Sequence, residues 1–177
     1  MQQLIHGIYG FMILAAGVAL PGLVNMTTVR VCLKHGFAPA LKFNAGAAAA
    51  VFIHAYIAIA FAGLISRNPS FLVYLRQMAL LLFVGLSGAF LYQAIHKRAV
   101  EASKHKMGKP ILSGFFVSIM NVLNIPAIFA LGTYLRAKGQ IVFAAPFRFF
   151  FILGAALGAF TVLNAYAAFA KRVNQNS

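Results

Sequence analysis

Residues 111–135, ILSGFFVSIMNVLNIPAIFALGTYL, decide how this chain is read. The stretch is uncharged and mostly apolar. As a helix rising about 1.5 Å per residue, it is long enough to cross a hydrocarbon core of roughly 30 Å. Yet its middle holds Asn121, Asn124 and Pro126. Proline removes a backbone donor and clashes with the carbonyl four residues back. The two asparagines, three apart, share one helical face. Such a polar, breakable point within a bilayer is costly unless neighbouring protein satisfies it. A second break follows from Pro21-Gly22-Leu23-Val24-Asn25, where the first apolar run ends. There the helix is predicted to stop near Pro21 and resume with an exposed N-terminus near Asn25.

Composition sets the class. The chain is 62% hydrophobic and 9% charged, against about 25% charged in soluble domains. Recurring apolar runs of about twenty residues make it an integral membrane protein. Fifteen Lys and Arg stand against one acidic residue, Glu101. The basic residues lie between apolar runs and form no single amphipathic face, so nucleic acid is not the expected partner. They read as loop charges that set topology and meet anionic lipid headgroups. A lone Cys32 excludes an intrachain disulfide. The N-terminal MQQLIHGIYGF lacks the basic region of a signal peptide, so the first run is expected to remain as a span.

Five spans are predicted, all α-helical, in a single transmembrane domain over residues 1–177. A first repeat covers about 1–98 and a second about 111–172, joined by a basic loop at 96–110. Span one runs from about Leu4 to Val24. Arg30, Lys34, His35 and Lys42 then mark a basic loop broken by Gly36 and Pro39. Span two runs from about Phe43 to Ile65, with Asn44 near one end and His54 at its centre. An intramembrane histidine is a functional candidate; the competing reading is a neutral imidazole bonded to a neighbouring helix. Span three runs from about Phe71 to Ile95, with Arg76 inside it and a seam of small residues at Gly85, Ser87, Gly88 and Ala89. Span four is the opening stretch. Span five runs from about Phe147 to Ala170 and contains Gly154 and Gly158 in a GxxxG spacing that favours close helix contact. Glycine-rich faces of this kind make a homodimer a partner expectation.

Arg30, Lys34, Lys42, Lys97, Arg98, Lys104, Lys106, Lys109, Lys171 and Arg172 follow spans one, three and five. Arg67, Arg76, Arg136, Lys138 and Arg148 belong to the other side. The positive-inside bias puts the larger group in the cytoplasm and the N-terminus outside.

No GxxxxGK[ST] loop, no zinc-spaced ligand cluster and no nucleophile–base–acid set occurs. No enzyme, metal or cofactor is expected. What remains is a cavity-forming membrane protein with two broken helices. A half-helix N-terminus offers unpaired N–H groups and a positive dipole end. It can hold a carboxylate, while unwound carbonyls hold a cationic group. One break opening each set of three spans is what an inverted repeat gives. This reads as a secondary transporter for a small zwitterion or anion, with a site at Pro21, Gly22, Asn25, Asn121, Asn124 and Pro126.

These residues also carry a resemblance. The chain resembles the LysE/RhtB superfamily of amino-acid exporters. Pro21-Gly22-Leu23-Val24-Asn25 looks like that family's PGPN segment, without its second proline. Gly114 to Ala127 looks like its GFxxxxxNPKA segment, with Ile125 between Asn124 and Pro126 and no lysine. Phe83 to Arg98 resembles its third span. The resemblance implies a LysE-type bundle in the cytoplasmic membrane, exporting amino acids or similar small metabolites. The family has six spans in two inverted sets of three; five are found here, three plus an incomplete second set. Family members also carry an acidic residue in a region matching Phe52 to Tyr56, where this chain has Ile53 and His54. His54 is therefore the candidate proton carrier, since an unperturbed imidazole titrates near pH 6.5. The alternative is a non-transporting membrane scaffold or partner-dependent subunit.

Overall fold

The computed structural model describes residues 1–67 and 109–175, with isolated positions between 73 and 91. Most of the predicted third span, including Arg76 and Ala89, and most of the segment from His96 to Pro110 lie outside the described residues. Six helices and no strand occur among the described residues: α1 (Gln2–Ala19), α2 (Leu23–His35), α3 (Phe37–Arg67), α4 (Pro110–Ile119), α5 (Asn124–Ala137) and α6 (Phe147–Gln175). The chain divides into two compact units, one of residues 1–61 and 107–177, the other of residues 62–106. The second holds the end of α3 and helical positions between 73 and 91. All packing below belongs to the first.

α1, the segment Phe37–Leu64 of α3, and α6 are each long and apolar enough to cross a membrane. α4 and α5 meet that test only as a pair, bent by 65° at their junction. The fold is thus the all-α membrane fold expected, with both breaks present. Their boundaries differ from the sequence reading in an instructive way. Proline does not make the second break. Pro126 is the third residue of α5, in the first turn, where a missing N–H costs no helical bond. The helix stops earlier, at Met120, in a tight turn closed by the Asn121 N–H on the Ser118 carbonyl. Pro39 is likewise the third residue of α3, so the loop expected from Arg30 to Lys42 shrinks to Gly36. That glycine turns the chain at φ +93°, a left-handed conformation L side chains disfavour. Arg30 and Lys34 therefore ride on α2, and Lys42 on α3. α6 continues beyond Ala170 to Gln175, so Lys171 and Arg172 also stay helical.

Glycine lets four helices cross at backbone distance. A Cβ on Gly10 of α1 would strike the Phe151 carbonyl of α6, and one on Gly154 would strike the Gly7 carbonyl. Gly158 meets Phe11 in the same way. The second crossing repeats the first: Gly114 of α4 meets the Phe43 carbonyl of α3, and Gly46 meets the Ile111 carbonyl. The sequence repeats as well. Gly10-Phe11 recurs as Gly114-Phe115, and Phe43-x-x-Gly46-Ala47-Ala48 as Phe151-x-x-Gly154-Ala155-Ala156. The first helix of each half thus packs on the second span of the other. That reciprocity is what two inverted halves produce. It also fills the Gly154/Gly158 face with α1 of the same chain.

Two buried clusters lie along the bundle. One gathers Leu14, Val51, Ala55, Ile128, Ile141 and Phe151 with their neighbours. The other gathers Val24, Val31, Phe43, Leu163 and Ala167 with theirs. At the second cluster's end the C-terminus of α6 meets the start of α3, with Lys171 Nζ 5.4 Å from the centre of the Phe37 ring. At the other end His6 of α1 accepts the Val142 N–H at 2.8 Å. The N-terminus and the α5–α6 loop therefore share one end, as the charge count requires of them.

Candidate functional site

A cavity of about 320 Å³ lies where the two clusters meet. Its wall takes Leu14 and Val51 from the first cluster and Val24 and Leu163 from the second. Both breaks open onto it. Pro21, Gly22 and Asn25 line it from the first, Asn121 and Asn124 from the second. Five of the six residues expected to shape a binding site, separated by about a hundred positions in sequence, thus share one cavity. Pro126 lies outside the lining.

The first break is fixed by capping of α1. Leu20 turns extended (ψ 135°), and the carbonyls at the helix end find side-chain donors. The Asn25 amide donates to Val18 at 2.5 Å and to Leu20 at 2.9 Å. The Tyr166 hydroxyl of α6 donates to Ala19 at 2.8 Å. These bonds leave Asn25 Oδ1 without a partner among the described residues, on a side chain only 3% exposed. α2 then starts without a side-chain cap. Its first intrahelical bond runs from the Met26 N–H to the Gly22 carbonyl. The N–H groups of Leu23, Val24 and Asn25 have no acceptor among the described residues, and these residues line the cavity.

The second break is built differently. Its turn binds its own N–H groups: Asn124 to the Asn121 carbonyl, Ile125 to Val122, and Ala127 to Leu123. Pro126 has no N–H. The start of α5 therefore offers little backbone donation, contrary to the symmetric expectation from sequence. The carbonyls of both breaks are largely engaged too. The second break contributes side-chain amides instead. Asn121 Nδ2 lies 3.4 Å from Asn124 Oδ1, which leaves Asn121 Oδ1 as acceptor and the Asn124 amide nitrogen as donor.

His54 does not line the cavity. It is 1% exposed on α3, one turn past Val51. Its Nε2 donates to the Ile119 carbonyl at 3.2 Å, since a carbonyl can only accept. That ties α3 to the end of α4, one residue beyond the cavity-lining Ser118. Nδ1 is buried and has no partner among the described residues.

Three features take roles the sequence reading did not assign them. Gly17 of α1 lines the cavity with open space where a Cβ would stand. Thr28 and Asn44, both buried, and half-buried Asn164 form a polar ladder across α2, α3 and α6. The Thr28 hydroxyl donates to Asn44 Oδ1 at 2.8 Å, and the Asn44 amide to Asn164 Oδ1 at 2.8 Å. Their signal was an amide in each of two apolar runs, but their pairing spans 120 residues. His6 uses both ring nitrogens: Nδ1–H donates to the Gln2 carbonyl at 2.8 Å while Nε2 accepts from Val142. No group of three or more His, Cys, Asp or Glu among the described residues could hold a metal ion.

The arrangement is a water-sized-to-metabolite-sized chamber with backbone donors on one side, amide groups on the other and apolar walls between. A family model described as LysE type translocator matches residues 15–177. No curated protein and no solved structure matches the chain.

Proposed function

This chain belongs to the LysE type translocator family, and we propose that it is a secondary transporter of the cytoplasmic membrane that binds its substrate between the two breaks. The family supports a membrane exporter of amino acids or related compounds, transporters and not enzymes. The observation that favours this site is the convergence of Pro21, Gly22, Asn25, Asn121 and Asn124 on one cavity. In this reading the substrate carboxylate meets the open N–H groups of Leu23, Val24 and Asn25, aided by the positive end of α2. Its ammonium meets Asn25 Oδ1 and Asn121 Oδ1. The two clusters flanking the cavity act as the inner and outer closures of an alternating-access cycle. His54 couples proton movement to the site through the Ile119 carbonyl, with Nδ1 as the atom that takes the proton.

Reconstitution in liposomes tests this reading. Wild-type protein is expected to release amino acids from preloaded vesicles with saturation. Asn121→Leu and Asn124→Leu are expected to slow release, while Phe169→Leu, on the exposed face of α6, leaves it unchanged. A wild type that releases no amino acid, or asparagine variants that release them normally, would contradict it.

A further inference from the structure

The cavity's lining also bears on which amino acid it takes. We infer that the site selects a neutral amino acid with an apolar side chain and rejects the cationic ones; this rests on the transporter reading above. Two independent observations lead there.

The first is the chemistry of the wall. Every described lining residue is uncharged. Its buried apolar members are Leu14, Val24, Val51, Ile128, Ala159 and Leu163, with Asn25 and Ser118 as buried polar groups. Asn25 is already committed to the zwitterion's head and to α1. What is left for the substrate side chain is a largely hydrocarbon surface with the Ser118 hydroxyl and the Asn124 amide as uncharged polar points. An aliphatic or thioether side chain gains by leaving water for such a surface. A lysine or arginine side chain would bring a charge that, unpaired in an apolar setting, is strongly disfavoured.

The second observation covers the whole sequence, including the part outside the described residues. The chain contains one acidic side chain, Glu101, among fifteen Lys and Arg. Glu101 stands in the basic segment between Lys97 and Lys109, outside every predicted span. No intramembrane carboxylate is therefore available to neutralise a cationic side chain. The α-ammonium is less demanding, because the substrate's own carboxylate travels beside it.

Volume agrees with this class. About 320 Å³ lies at the lower end of small-ligand cavities, which run from about 300 to 1,000 Å³. It suits a single amino acid better than a dipeptide.

Gly17 supplies the means of testing the inference. It lies on the wall with nothing within 4 Å of a Cβ, so a new side chain there meets open space at the cavity's edge and displaces no protein. The experiment loads proteoliposomes with an equimolar mixture of leucine, isoleucine, valine, methionine, lysine and arginine and follows each by mass spectrometry. In the wild type the four neutral amino acids are expected to leave at least about tenfold faster than lysine and arginine. In Gly17→Asp the new carboxylate is expected to raise lysine efflux by about tenfold and depress leucine efflux, with Gly17→Ser as the uncharged control. Lysine or arginine leaving the wild type as fast as leucine would overturn the inference and leave the transporter reading standing. Release of none of the six would overturn both. If Gly17→Asp does not reach the membrane folded, the wild-type ratio alone decides.

Discussion

Two glycines on one helix, Gly10 and Gly17, should respond to substitution in opposite ways. At Gly10 a methyl group would strike the Phe151 carbonyl and crowd the Ala155 amide. Neither atom is the end of a flexible side chain, so α1 and α6 must separate. Overpacking of this kind costs about 1–3 kcal/mol, and more where backbone must move. At Gly17 the same methyl group meets nothing within 4 Å, and an Ala in the helix replaces the least favoured residue after proline. That gains up to about 1 kcal/mol. Gly17→Ala should therefore raise stability while Gly10→Ala lowers it; the propensity gain is common to both, so the overpacking sets a separation of about 1–3 kcal/mol between two chemically identical changes. Gly17→Leu extends the argument to function. Its isobutyl group stands on the wall of the cavity of about 320 Å³ and narrows it, so efflux should fall at least about tenfold, the effect of about 1.4 kcal/mol, in a protein as stable as the wild type. The assay pairs a thermal unfolding curve in detergent with efflux from liposomes. Gly17→Leu that transports normally would refute the placement of the substrate, and Gly10→Ala as stable as the wild type would refute the helix crossing.

Further outcomes follow from the same contacts. Asn164→Leu should lower stability modestly, by about 0.6 kcal/mol and at most about 1.7 kcal/mol, the range for an interhelical bond in membranes, and Asn44→Leu, which also loses the Thr28 bond, should cost more; because both cut the Asn44–Asn164 bond, the double variant should cost less than the sum, which a double-mutant cycle measures. Asn25→Ala removes both donors from the end of α1, so it should lose stability by about 1–3 kcal/mol and efflux with it, whereas Thr27→Ala, whose hydroxyl bonds only the Leu23 carbonyl of its own helix, should change neither. His54→Gln can restore the bond to Ile119 but cannot carry a proton, so it should keep the fold and lose proton-coupled flux; equal coupling in His54→Gln and wild type would remove His54 from the mechanism. Gly46→Ala should destabilise as Gly10→Ala does, since its Cβ would strike the Ile111 carbonyl of α4.

The helices and their breaks were readable because each is a local matter. Apolar runs set the spans, and Pro21-Gly22 and the asparagines marked where helix ends. The break in the opening stretch was misplaced because proline was taken as its cause. Pro126 sits comfortably in a first turn, and the chain instead bends ahead of it at Met120 to Leu123. Pro39 misled for the same reason. The two halves' shared patterns, Gly-Phe and Phe-x-x-Gly-Ala-Ala, gain meaning only when the structure sets each against the other's backbone. The site was legible to the extent that polar residues at helix breaks are costly unless used. Its asymmetry was not legible. Whether a helix N-terminus has free N–H groups depends on the turn before it, and of the two breaks α2 keeps them while α5 does not. Gly17, an ordinary glycine in an apolar run, became informative only through the space beside it.

The central claim is that the two breaks form one substrate site. Single cysteines at Gly22 and Asn121, introduced after Cys32→Ala, allow it to be tested with a small water-soluble thiol reagent on the reconstituted protein. If the account is right, modification at either position stops efflux, and leucine slows labelling at both. Labelling at both positions that leucine does not slow, or modification that leaves efflux intact, would contradict it.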